Sequence, residues 1–549
     1  MKCSIVLGRC AGKYFLKFSS WRFIGAWMLV LGASAFGQTF SEPKPPPLVI
    51  ETDVCVFGGT AGGVVAAVQA ARMGKTVALT EFGQHLGGMT SGGLSQTDIG
   101  NKGAIGGIAR EFYQRMGRHY GTNETWKLEP SVAEKTLKEM LAEAKVTAYY
   151  RERLLSIKKH GTRITEIKME DGNIFRAKMF IDATYEGDLM AKAKVSYFVG
   201  REANAVYGET LDGIREKTPK HQFLVDVDPY IEKGNPKSGL LPFVQKDKLG
   251  VPGAGDASVQ AYNFRLCLTQ NMENQIPIQP PPDYDPGQYE LLARFIEALV
   301  AAGKTPALGE LMHIQAMPNG KTDVNNNGGF STDFIGANYK YPEASYAERA
   351  KIWKAHENYT RGFLHFLATN PRVPLSIRSE MQSWGLCKDE FGETEGWPHQ
   401  LYVREARRMV ADYVMSQKNC RGQEVVQDSI GLAAYNMDSH NCRRIVQEGF
   451  VRNEGDVQVA PGKPYPISLR ALVPKEKECE NLVVPICMSA SHIAYGSIRM
   501  EPVFMVLGQS ATTIAVEALE ENTAVQKVSY EKLKERLLAD KQVLEWKKK

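Results

Sequence analysis

Apolar residues cluster along this chain in rhythms that change from segment to segment, and the changes lay out an architecture. Leu48 to Phe57 reads as a buried strand, followed by glycines and an alanine-rich helical pattern from Val64 to Met73. Thr76 to Thr80 reads as a second buried strand, ending at Glu81. Strand, glycine loop, helix, strand and acid thus succeed one another within the roughly 30 residues that a βαβ unit needs. From Val146 to Asp182 the pattern shortens to Thr147–Tyr150, Leu154–Ile157, Ile164–Met169 and Ile174–Ile181. Gly161 and the pair Asp171-Gly172 sit in the turns, as a β-meander requires.

Beyond residue 200 the chain is mixed and rich in Pro, Asn and Gly, with helical patterns near 288–302, 344–369 and 401–416. A buried strand at Asn481–Cys487 and a helix from Pro502 to Glu520 follow, and the charged pattern after Ser529 reads as a solvated surface helix. The layout predicts a nucleotide-binding domain in two parts, 50–200 and 465–525, with an inserted α+β substrate domain at 201–464 and a helical tail at 526–549.

Composition changes the picture chiefly at the N-terminus. Lys13, Lys17 and Arg22 precede an apolar run from Phe23 to Gly32, and Ala33-Ser34-Ala35 and Ala35-Phe36-Gly37 offer cleavage sites, so 1–37 reads as a secretory signal and 38–49 as a proline-rich linker. The apolar run is short for a spanning helix, which needs about 20 residues. A retained signal anchor is the alternative, and the only membrane contact expected. The segment holds five of the basic residues and no acid, so removing it from a formal charge of +5 leaves a chain near neutrality. That excludes an electrostatic footprint for nucleic acid. Of the seven cysteines remaining, no two form CxxC, and no metal or iron–sulfur site is signalled.

Two glycine-rich segments carry the chemistry. Gly58-Gly59-Thr60-Ala61-Gly62-Gly63 supplies glycine where a strand bends into a phosphate-binding turn and again where helix meets strand, with Thr60 in place of the middle glycine. A pyrophosphate on this turn would meet the free N–H groups and the dipole of the helix start. Glu81 is placed to accept both hydroxyls of an adenosine ribose. The second segment, Leu86-Gly87-Gly88-Met89-Thr90-Ser91-Gly92-Gly93, is poor helix and poor strand but lets backbone pass close to a flat cofactor.

These two segments, with Asp182-Ala183-Thr184-Tyr185-Glu186-Gly187-Asp188 and the stretch from Tyr465 through Ser491-His492 to Gly496-Ser497-Ile498-Arg499, resemble the FAD-dependent oxidoreductase family. Its relatives include the flavin-carrying component of the heterodisulfide reductases and, more distantly, the fumarate reductase flavoproteins. The resemblance implies a Rossmann-type α/β domain of the glutathione-reductase kind, and FAD as cofactor. It implies that Asp182 and Asp188 bring the chain near the cofactor. Arg499 and Pro502 would open a second helix aimed at the flavin, with Pro502 suited to the first helical position. An NAD enzyme needs no such second approach. Distant relatives link a histidine covalently to the flavin, and His85 lies just ahead of the glycine run, but its spacing to the glycines does not match that pattern.

Flavin carries out hydride transfer itself, so the protein needs orientation and a base. His492 is the first candidate for acid/base work, with a packing role as the alternative; His440 and Arg378 are further candidates from the insertion. Arg378 would clamp an anionic substrate, or form a surface ion pair. Arg404, Arg407 and Arg408 are explained by helical pairing with Glu405. The expected activity is an exported or periplasmic FAD oxidoreductase acting on a small, carbohydrate-derived molecule, with an unidentified electron acceptor. The alternative is a polysaccharide lyase or carbohydrate-binding protein in which FAD is structural or absent. An electron-transfer component fits poorly, because it would need clustered cysteines or a partner carrying them.

Overall fold

The central sheet is built from strands whose apolar runs are buried on both faces, the signature of parallel pairing. A computed structural model describes residues 46–547, so the segment expected to be a signal and most of the expected linker lie outside the described residues. Strand β1 (Val49–Phe57), helix α1 (Ala61–Arg72) and strand β2 (Val77–Glu81) form the expected βαβ unit. β2 pairs in parallel with β1 and with β3 (Thr147–Tyr150), which follows the helices α2 (Gly107–His119) and α3 (Pro130–Glu143). On its other side β1 pairs in parallel with β6 (Ile174–Asp182), Phe57 opposite Asp182.

The meander shares β6. β4 (Leu154–His160) pairs antiparallel with β5 (Arg163–Met169), and β5 with the first half of β6, while the second half of β6 pairs in parallel with Leu482–Val483. The nucleotide sheet is therefore closed by a strand some 300 residues downstream. β1, β2 and β6 all end on one edge, where the glycine turn, Glu81 and Asp182 gather.

α1 is nearly all small and apolar because it is squeezed between this sheet and the helix Glu501–Glu520. The two helices approach at glycines: a Cβ on Gly508 would lie 2.1 Å from the Gly62 carbonyl oxygen, and one on Gly62 would lie 2.8 Å from that of Phe504. The helix Glu501–Glu520 is apolar enough to span a membrane, yet its most apolar window is 94% buried inside the protein; it is a core helix. Pro502 is its second residue rather than its first.

The inserted region is tied to its flanks by strand pairs, Tyr197–Phe198 with Arg408–Met409 and Ser429–Ala433 with Tyr465–Ser468. Pro47–Lys549 clusters as one compact unit. Helices at Glu290–Ala301 and Tyr346–Thr369 stand where the apolar pattern predicts them. The helix expected at 401–416 does not form: residues 401–407 carry no regular structure beyond an isolated bridge at Tyr402. Its arginines pair most closely with distant carboxylates, Arg404 with Asp333 at 3.0 Å, Arg407 with Asp188 at 2.7 Å and Arg408 with Glu202 at 2.7 Å, while Arg408 and Glu405 come only within 4.0 Å. Buried ion pairs of this kind override a helical charge pattern, since breaking one strands a charge in the interior.

Candidate cofactor cradle and active site

The turn after β1 is shaped by what its glycines exclude. Gly58 has φ +109°, and a Cβ there would lie 2.7 Å from the Ala183 carbonyl; one on Gly63 would lie 1.9 Å from Gly58 O. Thr60, at the position of the missing middle glycine, is the N-cap of α1 and needs no glycine, with φ −61°. Its hydroxyl accepts from Gly63 N at 3.1 Å and donates to Ala183 O at 2.8 Å, so it caps the helix and docks it on the end of β6. The other first-turn amides have no intrahelical acceptor and remain for an anion.

Glu81 reaches back to this turn. One carboxylate oxygen accepts from Gly59 N at 2.8 Å and the other from Gly83 N at 2.6 Å. Burial pushes its pKa up to about 7 against the pull of those amides. The second glycine loop is bound to the first: Gly87 N donates to Gly59 O at 2.7 Å. Gly87 and Gly88 are left-handed (φ +105° and +53°), and a Cβ on Gly92 would lie 2.3 Å from the Gln400 side chain. Ser91 Oγ closes the loop on Leu86 O.

Glu501 then ties three segments together. Its carboxylate accepts from Tyr185 Oη at 2.6 Å and from Thr90 Oγ1 at 2.7 Å, while Tyr185 Oη accepts from Met89 N at 2.9 Å. The group is fully buried, which raises its pKa to about 7.

The two aspartates of the Asp182–Asp188 stretch take different partners, Asp182 the turn and Asp188 two distant arginines. Asp182 accepts from Thr184 N, Thr184 Oγ1 and Met190 N, and burial lifts its pKa to about 6. Asp188 is clamped by Arg349 at 2.6 Å and by Arg407; burial would raise its pKa, but these cations hold it below the usual carboxylate range. Beside them a cavity of about 360 Å³, lined among others by Phe82, Thr184, Glu186 and His399, adjoins the glycine turn, where the same four residues line a smaller one.

His85 stands at that rim, its ring stacked on His399 with centroids 3.8 Å apart. Its nitrogens face Glu134 at 3.3 Å and Glu393 at 2.5 Å, and the bond to Glu134 raises its pKa. Both ring nitrogens are thus engaged by carboxylates.

The candidate bases separate cleanly. His492 opens the helix His492–Ile498, 1% exposed, with Nδ1 2.7 Å from Glu405 Oε2 and Nε2 2.9 Å from Ser439 Oγ. It sits in an internal polar network. His440 lies in a charged cluster: Nδ1 is 2.8 Å from Asp333 Oδ2 and Nε2 is 3.8 Å from Asp438 Oδ2. Burial and the nearby Arg404 depress its pKa to about 3. Burial would raise Asp333, but Arg404 and His440 hold it at about 2. Burial raises Asp438 to about 6 against the guanidinium of Arg499, 3.3 Å away. Arg499 Nη1 donates to Tyr402 Oη at 3.0 Å, and the Arg404 and Arg499 guanidiniums lie 4.7 and 5.7 Å from the Tyr402 ring centre. Arg378 is elsewhere, on the helix Leu375–Gln382, its Nε donating to Val373 O at 3.1 Å.

A family model described as FAD dependent oxidoreductase matches residues 53–537. The chain belongs to this family. Among solved structures, this FAD-dependent oxidoreductase is similar to a geranylgeranyl bacteriochlorophyll reductase-like protein of Thermoplasma acidophilum, at 14% identity and a TM-score of 0.34, over 90% of this chain and 86% of that one. It is also similar to a flavoprotein/dehydrogenase of Cytophaga hutchinsonii, at 21% identity and a TM-score of 0.21, over 28% of this chain; it spans 44% of that protein. A comparison with curated proteins found no match.

The cradle fits the family's cofactor. A turn that admits no Cβ, a helix start with spare amides and a buried acid at the end of β2 are the donor and acceptor set that FAD's pyrophosphate and ribose require. Gly58–Gly63 and Glu81 would hold that half. The Gly87–Gly92 loop, secured to the Glu501 helix, would carry the rest. Asp333 and Tyr402 had no local mark in the sequence; Arg404 was read only as a helical ion-pair partner, and Asp438 and Glu501 are legible only as neighbours of His440 and Pro502.

Proposed function

We propose that this FAD-dependent oxidoreductase is exported and oxidises a small, carbohydrate-derived acid. The carrying observation is the cluster at His440, where a histidine oriented by Asp333 faces Asp438 beside two buried guanidiniums. FAD, when bound, supplies the hydride acceptor at flavin N5.

The residues divide the remaining work. With Asp333 ionised, the proton of His440 belongs on Nδ1, which leaves the Nε2 lone pair free to take a proton from a substrate hydroxyl. Burial and Arg404 keep His440 neutral at a pKa of about 3, which makes it a weak base, so it takes the hydroxyl proton only in concert with hydride loss, when that hydroxyl becomes strongly acidic. Arg404 and Arg499 each keep an Nε with no partner among the described residues, and both flank Tyr402. A substrate carboxylate would answer those donors, which favours a sugar acid over a neutral sugar. Export rests on the basic, then apolar, then small-residue pattern of residues 1–37.

The test is the visible spectrum of the mature protein, followed anaerobically with a panel of sugar acids and the matching neutral sugars. Bleaching by acids supports the reading. Flavin that no member of the panel bleaches, or that neutral sugars bleach as readily, overturns the substrate assignment. Recovery of the tagged full-length protein from the cytoplasm alone would overturn export.

A further inference from the structure

Cys267 and Cys387 take no part in the site described above, and their setting has its own chemistry. Gly385–Cys387 is the middle strand of a three-stranded antiparallel sheet, between Leu268–Thr269 and Gln275–Ile276. The register sets Gly385 opposite Thr269 and Leu386 opposite Leu268, which puts Cys387 opposite Cys267. Cys387 N donates to Cys267 O at 3.2 Å, and the two sulfurs are 3.4 Å apart. Directly opposed residues in such a ladder have Cα atoms roughly 4.5–5.5 Å apart, inside the range of about 4.4–6.8 Å that a disulfide spans. With Phe391 the pair forms a small buried cluster of its own. Cys442, Cys479 and Cys487, by contrast, turn their sulfurs toward oxygen atoms.

The chain after Cys387 leads to the cofactor cradle. Glu390 is held by Lys321 at 2.6 Å and accepts from Ser131; Phe391 packs edge-on against His399 with ring centres 5.3 Å apart. His399 and Gln400 wall the cleft beside the glycine turn. We propose that Cys267 and Cys387 close as a disulfide while the chain folds under oxidising conditions, and that the bond staples the 388–400 segment against the nucleotide cleft. Both thiols are shielded in the folded protein, so the bond forms before the core shuts. With glutathione disulfide as oxidant, the two thiols lose two protons and two electrons to form the S–S bond, and the oxidant becomes two molecules of glutathione.

The mature holoprotein, refolded from the reduced chain with FAD in a buffer of reduced and oxidised glutathione, is acid-quenched, alkylated and digested. A peptide carrying Cys267 linked to one carrying Cys387, separating on reduction, is the expected result. Recovery of both as alkylated or glutathionylated peptides, or linked to other cysteines, overturns the bond. FAD release is then followed by flavin fluorescence for the oxidised protein and for protein refolded in excess reductant. Release severalfold slower from the oxidised form supports the staple; equal rates overturn it. Comparing two redox forms of one sequence avoids a Cys387→Ser variant that fails to fold. Neither readout depends on substrate, so the proposal stands or falls apart from the sugar-acid reading.

Discussion

Tyr185 and Glu501, 316 residues apart, meet in a 2.6 Å hydrogen bond that joins the turn after β6 to the start of the core helix. Thr90 and, through Tyr185, Met89 bind the same carboxylate, so one acid holds three pieces of the cradle in register.

That acid makes stability depend on pH. Glu501 is fully buried and its folded pKa is raised from 4.5 to about 7, so the folded protein holds this proton more tightly than the unfolded chain. Its contribution is complete below about pH 4.5 and is lost as pH rises through about 7, on the order of 3 kcal/mol from this group. Glu501→Gln is expected to flatten that part of the profile, read as denaturation midpoint against pH. An unchanged slope would show that the carboxyl is not raised.

Gly63→Ala is expected to yield protein without flavin absorbance, because the new Cβ would stand 1.9 Å from Gly58 O. Gly309→Ala, where a Cβ meets nothing within 4 Å, is expected to keep the full spectrum. Equal flavin content in the two variants would refute the cradle.

Glu81→Ala removes the partner of the Gly59 and Gly83 amides as well as the ribose acceptor. FAD affinity should fall about tenfold or more, given roughly 1.4 kcal/mol for each tenfold step. A flavin fluorescence titration measures it.

His440 and His492 should behave oppositely. His440→Gln is expected to lower kcat by about 10²–10⁴-fold with the flavin spectrum intact, as loss of a general base does. His492→Ala leaves Glu405 without the imidazole that, with Arg408, opposes the effect of its burial, and should lower stability by about 1–3 kcal/mol while the folded fraction keeps its activity. The reverse pattern would move the base to His492.

Arg499→Lys removes the fork that serves Tyr402 and Asp438. KM for an acid substrate should rise more than for its neutral counterpart; an equal rise would show a purely structural role.

Much of the nucleotide fold was legible because its signals are local. β1, α1 and β2 follow one another, with apolar runs and glycines that answer to contacts within one βαβ unit, and Thr60 replaces a glycine at a position where φ is ordinary. The meander strands show in the same way, since their turns need Gly161 and Gly172 at positive φ. The segment at 401–416 was misleading because its charges repeat at helical spacing, while the carboxylates they answer lie far away in sequence.

The sequence by itself determined the class of fold and a dinucleotide site, since a turn without side chains next to a helix start is a property of a few adjacent residues, while FAD as the dinucleotide followed from the family resemblance. Only the tertiary structure decided which histidine faces a charged cluster, which partners Asp182 and Asp188 take, and that Glu501 locks the cradle. Those outcomes depend on burial and on partners hundreds of residues apart, and neither is written in the spacing of any one segment.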